Sequence, residues 1–405
     1  MISRSLRKLA FQLHRFVGLN LCILFMISFV TGTLLLFSAE LILIGRPDLW
    51  IARTTPVADA SFGQNYDSIK EAIPGVKIAF MLRAPRPWFG DTTYAGDSNN
   101  QSITVWTDPK DARFLGVSGG NSKLRDTIRG LHVDYLVPLK AAKLGVGALS
   151  IVLLTMVISG LISYRRFWKG LLRKPDSGAE VRQKMGAWHR LFAAWVWPFL
   201  LLVSLTGMIF LANDAGIEPA HPAAQPVAPR DWSLAPDFDG TALDAIIQAA
   251  QAAKPGLIAT QVSLPTAQNQ PVSVSGYLEQ TGAMFGKATV SVDPLDMRVV
   301  EISDTANANV MGKIYPVAVD LHYGHWAGFT STLIWTVFGI VAISLAVAGA
   351  RLSVARLQAE ARTAMPEKSG RSAFRVFIDG LGVVKYGYAL LFFGIAAALV
   401  RVVLK

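Results

Sequence analysis

Cysteine is almost absent from this sequence: Cys22 is the single one among 405 residues, and it lies inside an apolar run. Disulfides are thereby excluded, although the large polar inserts are expected to face an oxidising compartment. No Cys-x-x-Cys-His occurs, so covalent c-type haem attachment is excluded too. Nucleotide fingerprints are also missing. Gly145-Val146-Gly147 falls within an apolar run and lacks the strand–turn–helix setting of a dinucleotide site. Charge is sparse, at 17% of residues against 52% hydrophobic, and that imbalance turns attention to the membrane.

Five runs are long enough to span a bilayer, which needs about 20 apolar residues at a rise of about 1.5 Å each. They fall at 16–37, 144–163, 191–212, 332–350 and 386–403. The first could be a signal peptide, but it is longer than the usual apolar core and is matched by an internal run that no peptidase would remove, so it reads as a retained span. Polar inserts at 38–143 and 213–331 are large enough to fold in water. The net charge of +11 is concentrated in short segments. Arg4, Arg7, Lys8 and Arg15 precede the first span; segment 164–190 carries eight bases against Asp176 and Glu180; the segment from Arg351 to Arg375 has six bases and two acids. Short basic loops mark the cytoplasmic side. This places 1–15, 164–190 and 351–385 inside, both inserts outside, and the carboxyl terminus outside. A nucleic-acid partner is not expected, because the charge follows topology rather than a folded face.

The sequence repeats itself. His14-Arg15-Phe16 opens a helix that reaches Thr31-Gly32, and His189-Arg190-Leu191 opens another that reaches Thr206-Gly207, both at a spacing of 175 residues. Asp108-Pro109 through Arg113 is matched by Asp293-Pro294 through Arg298, and Leu131-His132 by Leu321-His322. Each unit therefore reads as helix, external α+β domain, helix. The two units run the same way through the membrane, as parallel repeats about an axis along its normal. The expected fold class is a polytopic α-helical membrane protein of two such repeats plus a fifth, C-terminal transmembrane helix. In the inserts, 243–253 and 67–73 read as helices closed by Pro-Gly, 102–107 and 289–292 as strands stopped by Asp-Pro turns, and 219–236 as a Pro- and Ala-rich linker.

Four of the six histidines occupy matched positions. His14 and His189 share the cytoplasmic level, and His132 and His322 the outer level. A two-fold axis sets each pair on opposite sides of the bundle, where two imidazoles can clamp a planar group between them. Neutral imidazole is the commonest metal ligand, and haem iron accepts axial histidine. Two axial imidazoles leave no open position, which suits electron transfer. Gly18 and Ala193, four residues after the inner histidines, leave room for a macrocycle, and Arg15 and Arg190 are placed to pair with its propionates. The same arginines also serve as positive-inside anchors. Zinc wants four tetrahedral ligands, and a two-histidine level does not offer them. His325, three residues after His322, is a substitute outer ligand or a surface group; His221 lies in the linker. Thr31-Gly32 and Thr206-Gly207 read as close-packing positions rather than chemistry.

Together, His14-Arg15-Phe16-Val17-Gly18-Leu19 with Thr31-Gly32, Leu131-His132, His189-Arg190 with Thr206-Gly207, and Leu321-His322-Tyr323-Gly324 resemble the PepSY-associated transmembrane family of bacterial inner-membrane proteins. The resemblance covers nearly all of residues 5–350, and the external domains look like PepSY domains. Within the family the chain is similar to inner-membrane ferrisiderophore reductases of the FoxB type. The resemblance implies non-covalent haem b, two groups at two levels, held by His14, His189, His132 and His322. It also implies reduction of a periplasmic ferric siderophore or other ferric chelate. With no nicotinamide or flavin motif in the chain, the electrons are expected from outside it, from a quinol or a cytoplasmic reductase. The first copy departs from the pattern: His132-Val133-Asp134-Tyr135 lacks the glycine that Gly324 supplies in the second.

Two other readings stand beside it. A non-redox scaffold or regulator would use its external domains to bind peptides or proteases and would carry no chromophore. A transporter would want intramembrane charge; spans one to four have almost none, and Asp379, Lys385 and Arg401 flank the fifth. Trp50, Trp88, Trp106 and Trp326, expected outside or at the outer interface, are either siderophore contacts or domain core and anchors.

Overall fold

The computed structural model describes residues 3–51, 60–119, 123–164, 176, 178–220, 234–266, 270–364 and 372–404. In chain order, α1 (Arg4–Asn20) and α2 (Cys22–Leu35) are followed by α3 (Ser38–Gly45) and a 3-10 turn at Pro47–Leu49. Then come α4 (Phe62–Ala72), β1 (Lys77–Leu82), β2 (Asp91–Gly96), β3 (Ser102–Thr107) and β4 (Phe114–Gly119). Helices α5 (Lys123–Val133), α6 (Lys140–Ser163) and α7 (Val181–Asp214) lead into the second half. That half has α8 (Gly240–Ala253), β5 (Leu257–Ser263), β6 (Val272–Leu278), the short α9 (Gly282–Phe285), β7 (Lys287–Val292), β8 (Val299–Asp304), α10 (Val310–Tyr323) and α11 (Gly328–Ala364). Helices α12 (Ala373–Gly380) and α13 (Val384–Leu404) follow. The chain divides into a helical unit, Met1–Phe37 with Thr127–Gly216 and Leu321–Lys405, and a sheet unit, Ser38–Asp126 with Ile217–Asp320.

The sheet unit changes the expectation of two separate external domains. Both inserts contribute to one eight-stranded antiparallel sheet, ordered β4-β3-β2-β1-β5-β6-β7-β8. Its centre is the β1–β5 pairing, with Phe80 opposite Ser263 and Leu82 opposite Gln261. Alone, each half would expose β1 or β5 as an unpaired edge; joining them removes both. The helices above the sheet meet through glycine. A Cβ on Gly63 would lie 2.1 Å from the Gly240 carbonyl oxygen, and one on Gly240 would lie 2.2 Å from that of Gly63. The backbone N–H of Gly63 donates to Asp244 Oδ1 (2.9 Å) and that of Gly240 donates to Asp67 Oδ1 (2.7 Å), so each helix start is capped by the other copy. Ile69, Met81 and Val105 from one half and Ile246, Val262, Val274 and Val290 from the other form a common core. The Asp-Pro turns match across the copies. Asp108 Oδ1 accepts from Lys110 N and Asp293 Oδ1 from Leu295 N, both at 2.9 Å.

In the helical unit, α6, α7, α11 and α13 are long and apolar enough to cross a membrane, and α1 with α2 makes a fifth candidate if the bent pair is one span. The first span is therefore not the single helix expected at 16–37. Its halves meet at 68°, and Leu21 between them leaves the helical region at ψ 7°. Asn20 sits at the break and donates its side-chain amide to the Phe16 carbonyl. Tyr388 of α13 donates its hydroxyl to the Asn20 carbonyl. The fifth helix, which the repeat left unexplained, thus docks where the first copy departs from the second. The second copy runs through the equivalent region as one 34-residue helix, α7, with Pro198 inside it. Helix α1 packs on α6, α6 on α7, α7 on α11, and α11 on α2. Small residues permit these approaches: a Cβ on Gly207 would sit 2.8 Å from Ser150 Cβ, and one on Gly339 would sit 2.3 Å from Thr33 Oγ1. Val157, Val196, Leu200 and Ala342 fill the interior.

Candidate functional site: two histidine pairs

The helical unit brings four histidines together as two pairs. His14 on α1 and His189 on α7 have ring centroids 6.2 Å apart, with their planes at 75°. His132, near the end of α5, and His322, near the end of α10, have centroids 6.4 Å apart at 58°. The levels are well separated: Thr206, which holds His322, lies 17 residues beyond His189 on the continuous α7, or about 25 Å along the helix.

Hydrogen bonding settles which ring nitrogen is free. His14 Nδ1 lies 3.0 Å from the Met156 carbonyl of α6, and His189 Nδ1 lies 3.3 Å from the Leu345 carbonyl of α11. A carbonyl only accepts, so both Nδ1 atoms carry the proton. His14 Nδ1 also approaches Ser159 Oγ at 3.2 Å. In the other pair, His132 Nδ1 meets Thr31 Oγ1 at 3.0 Å and His322 Nδ1 meets Thr206 Oγ1 at 2.8 Å. Each threonine hydroxyl already donates to its own helix, Thr31 to the Ile27 carbonyl (2.6 Å) and Thr206 to that of Leu202 (2.9 Å). With its proton committed, each hydroxyl oxygen accepts from imidazole. All four rings are therefore Nδ1–H tautomers with the Nε2 lone pair available. A metal-bound histidine shows this arrangement, its second nitrogen donating to a fixed acceptor that sets tautomer and orientation.

Glycine lets the rings approach. A Cβ on Gly160 would be 3.2 Å from His14 Cε1, one on Gly349 would be 3.1 Å from His189 Cε1, and one on Gly32 would be 2.8 Å from His132 Cε1. Gly18, expected to open space for a macrocycle, instead accommodates Met156, whose methyl would lie 3.3 Å from an added Cβ. Phe210 packs edge-on to His322 at 5.0 Å.

The other expected site residues are placed as follows. Arg15 pairs with Glu360 at 2.6 Å. Arg190 lines a cavity with Arg182 and Arg356. His325 stands edge-on to Tyr323 at 6.0 Å, while it is His322 that faces His132. His221 lies outside the described residues. Trp106 is buried in the sheet unit, and Trp50, 57% exposed, stacks on Trp88. In the first outer motif, which lacks that glycine, the positive φ falls one and two residues past the matching position, at Tyr135 (55°) and Leu136 (62°), whereas Gly324 takes 69°.

The arrangement suits a flat metal complex. Two metal–nitrogen bonds of about 2 Å plus two half-rings span about 6 Å, close to both centroid separations. Among the described residues no group of three or more His, Cys, Asp or Glu is placed to hold a metal ion, so neither pair is a four-ligand protein site. Residues 11–356 match the family described as the PepSY-associated TM region. The chain belongs to this family. A comparison with curated proteins finds no match. Family membership and the apolar helices make this a membrane-embedded protein with a PepSY-like sheet unit.

Sequence reasoning missed the residues that hold the imidazoles. Thr31 and Thr206 are hydrogen-bond acceptors rather than packing positions only. Gly160 and Gly349, and the carbonyls of Met156 and Leu345, were not singled out. Their signal was present: both pairs recur at 189 residues, one less than the spacing of His132 and His322.

Proposed function

We propose that this protein is a haem b-containing electron conduit of a bacterial inner membrane that reduces ferric siderophores, or other ferric chelates, on the periplasmic side. The observation that carries the proposal is the set of four half-buried imidazoles, each with Nδ1–H committed to an acceptor and Nε2 available, grouped as two facing pairs at two levels. Bound haem supplies one-electron transfer. His14 and His189 hold it near the basic, cytoplasmic ends of α1 and α7, close to a quinol or cytoplasmic reductase. His132 and His322 hold it at the outer, periplasmic level, where the ferric substrate arrives. Held by a histidine on each side, the haem would supply electron transfer rather than oxygen chemistry. Iron leaves the chelate after reduction because ferrous iron is a weaker partner for hard oxygen ligands. This is the activity of the ferrisiderophore reductases that the sequence resembles.

The test is an absorption spectrum of the purified protein with and without dithionite. A Soret band that shifts on reduction is expected, and its absence sinks the proposal and leaves the scaffold reading. The His14→Ala and His132→Ala variants should each lose roughly half the band, one pair's share. Loss of all or none of it in either variant would contradict the two-level assignment.

A further inference from the structure

Near the His14–His189 pair, α7 presents Arg182, Gly186 and Arg190 at four-residue spacing, and α11 presents Leu352 and Arg356 the same way. With Gln183 they line a cavity of about 430 Å³. Three guanidinium groups share it, and no acid is among its lining residues within the described part of the chain. The nearby Glu360 carboxylate is engaged by Arg15 at 2.6 Å. Gly186 keeps the space open: a Cβ there would lie 3.3 Å from Arg190 Nη1 and 3.9 Å from Leu352 Cδ1. Arg356 is anchored by its guanidinium over the Phe11 ring, 5.4 Å from the centroid. Like charges gathered around one space repel, and an anion placed among them relieves that repulsion. Guanidinium is the side chain best matched to a carboxylate or phosphate, because its planar fork donates two parallel hydrogen bonds.

Position ties the cavity to the histidines. Gly186 lies three residues before His189, and Leu352 lies three residues after Gly349, the glycine against the His189 ring. Three residues are about one helical turn, so Gly186 and Leu352, in the cavity's lining, stand roughly one turn to the Arg182 side of the imidazoles. We propose that Arg182, Arg190 and Arg356 form an oxyanion site, for carboxylate or phosphate groups, at the mouth of the His14–His189 pair. Two sources carry that chemistry. One is the pair of propionates on a haem held by these histidines, which rests on the proposed function. The other is a phosphate-bearing small molecule entering from the same side, such as a diffusible electron donor. The second would replace the open choice between quinol and reductase with an anionic donor.

The experiment uses the full chain in a non-ionic detergent, prepared without added haem and after saturation with haem, with inorganic pyrophosphate as the probe. Equilibrium dialysis should show saturable pyrophosphate binding to the haem-free protein. Arg182→Gln and Arg356→Gln should each weaken it at least about tenfold, as expected for loss of a bidentate charged contact, and Arg182→Lys should restore part of it. Arg182 is exposed on α7, so its replacement leaves the fold intact and keeps the test readable. Binding that disappears on haem saturation identifies the propionates as occupant; binding that persists identifies a diffusible anion. Absence of saturable binding in the haem-free protein, together with unchanged haem content in the Arg182→Gln/Arg356→Gln double variant, overturns the site while leaving the haem reading in place. Pyrophosphate binding by a chain that takes up no haem does the reverse.

Discussion

The two histidine pairs do the same job with different parts. At the His14–His189 level the acceptors for Nδ1–H are backbone carbonyls of the facing helices, Met156 and Leu345. At the His132–His322 level they are side chains, Thr31 and Thr206. A helix carbonyl is present whatever residue carries it. The first level therefore depends on how close the helices come, and Gly160 and Gly349 are its controlling residues. The second depends on two hydroxyl groups that a single substitution can remove. The contrast teaches that a symmetric set of histidines need not have a symmetric support, and that the second level is the one whose properties side-chain chemistry can tune.

Forcing the helices apart should have the largest effect. In Gly349→Leu the added side chain begins 3.1 Å from the His189 ring, and in Gly32→Leu it begins 2.8 Å from the His132 ring. Each should abolish haem binding at its own level and leave the other spectrum unchanged. Coupled loss of both levels would mean that the pairs do not bind independently. Next in size is Thr206→Val, which leaves the His322 Nδ1–H without its acceptor. Loss of such an outer-shell partner weakens metal-site affinity by roughly ten- to a hundredfold. Haem retention on dilution should fall at that level alone, and the midpoint potential of what remains should rise, because imidazole becomes a poorer electron donor. Thr206→Ser should restore both, and a Ser variant no better than Val would show that the hydroxyl is not the acceptor.

The comparison extends to the helices that carry the first pair, one broken and one continuous. Tyr388→Phe removes the hydroxyl that satisfies the Asn20 carbonyl at the break, and should cost about 1 kcal/mol of stability. Thermal unfolding in detergent measures it, and an unchanged midpoint would mean that water or lipid satisfies the break equally well. The smallest effect is expected from Ser159→Ala. Its hydroxyl lies 3.2 Å from His14 Nδ1, but the Met156 carbonyl at 3.0 Å remains. The spectrum and potential should match wild type. A change as large as that in Thr206→Val would erase the distinction between the levels.

Much of this was legible in the sequence because duplication makes weak signals check one another. The matched His-Arg pairs, the Thr-Gly pairs and the Asp-Pro turns identified the helical copies, the strand ends and the four histidines. The family follows from the same residues. Periodicity also located α8 and β3, with Gly256 at φ 81° closing the end of α8 as a residue free to turn left-handed must. What the sequence could not supply were contacts between its copies. Nothing local says that β1 pairs with β5, because an edge strand carries the same alternation whether it meets water, lipid or another sheet. Nor does a motif reveal that a histidine will find a backbone carbonyl, since every residue has one.

By itself the sequence determined that the protein enters a membrane, and which of its motifs and histidines match one another. These are properties of composition, run length and spacing, and each can be read one segment at a time. Only the tertiary structure decided that two inserts share one sheet, that the first span bends at Leu21 against the fifth helix, and that Arg15 meets Glu360 while Arg190 lines a cavity. It also decided which nitrogen of each imidazole is free. That depends on a donor and an acceptor more than 100 residues apart coming within about 3 Å, and hydrogen bonds are lost over errors far smaller than any sequence pattern can resolve.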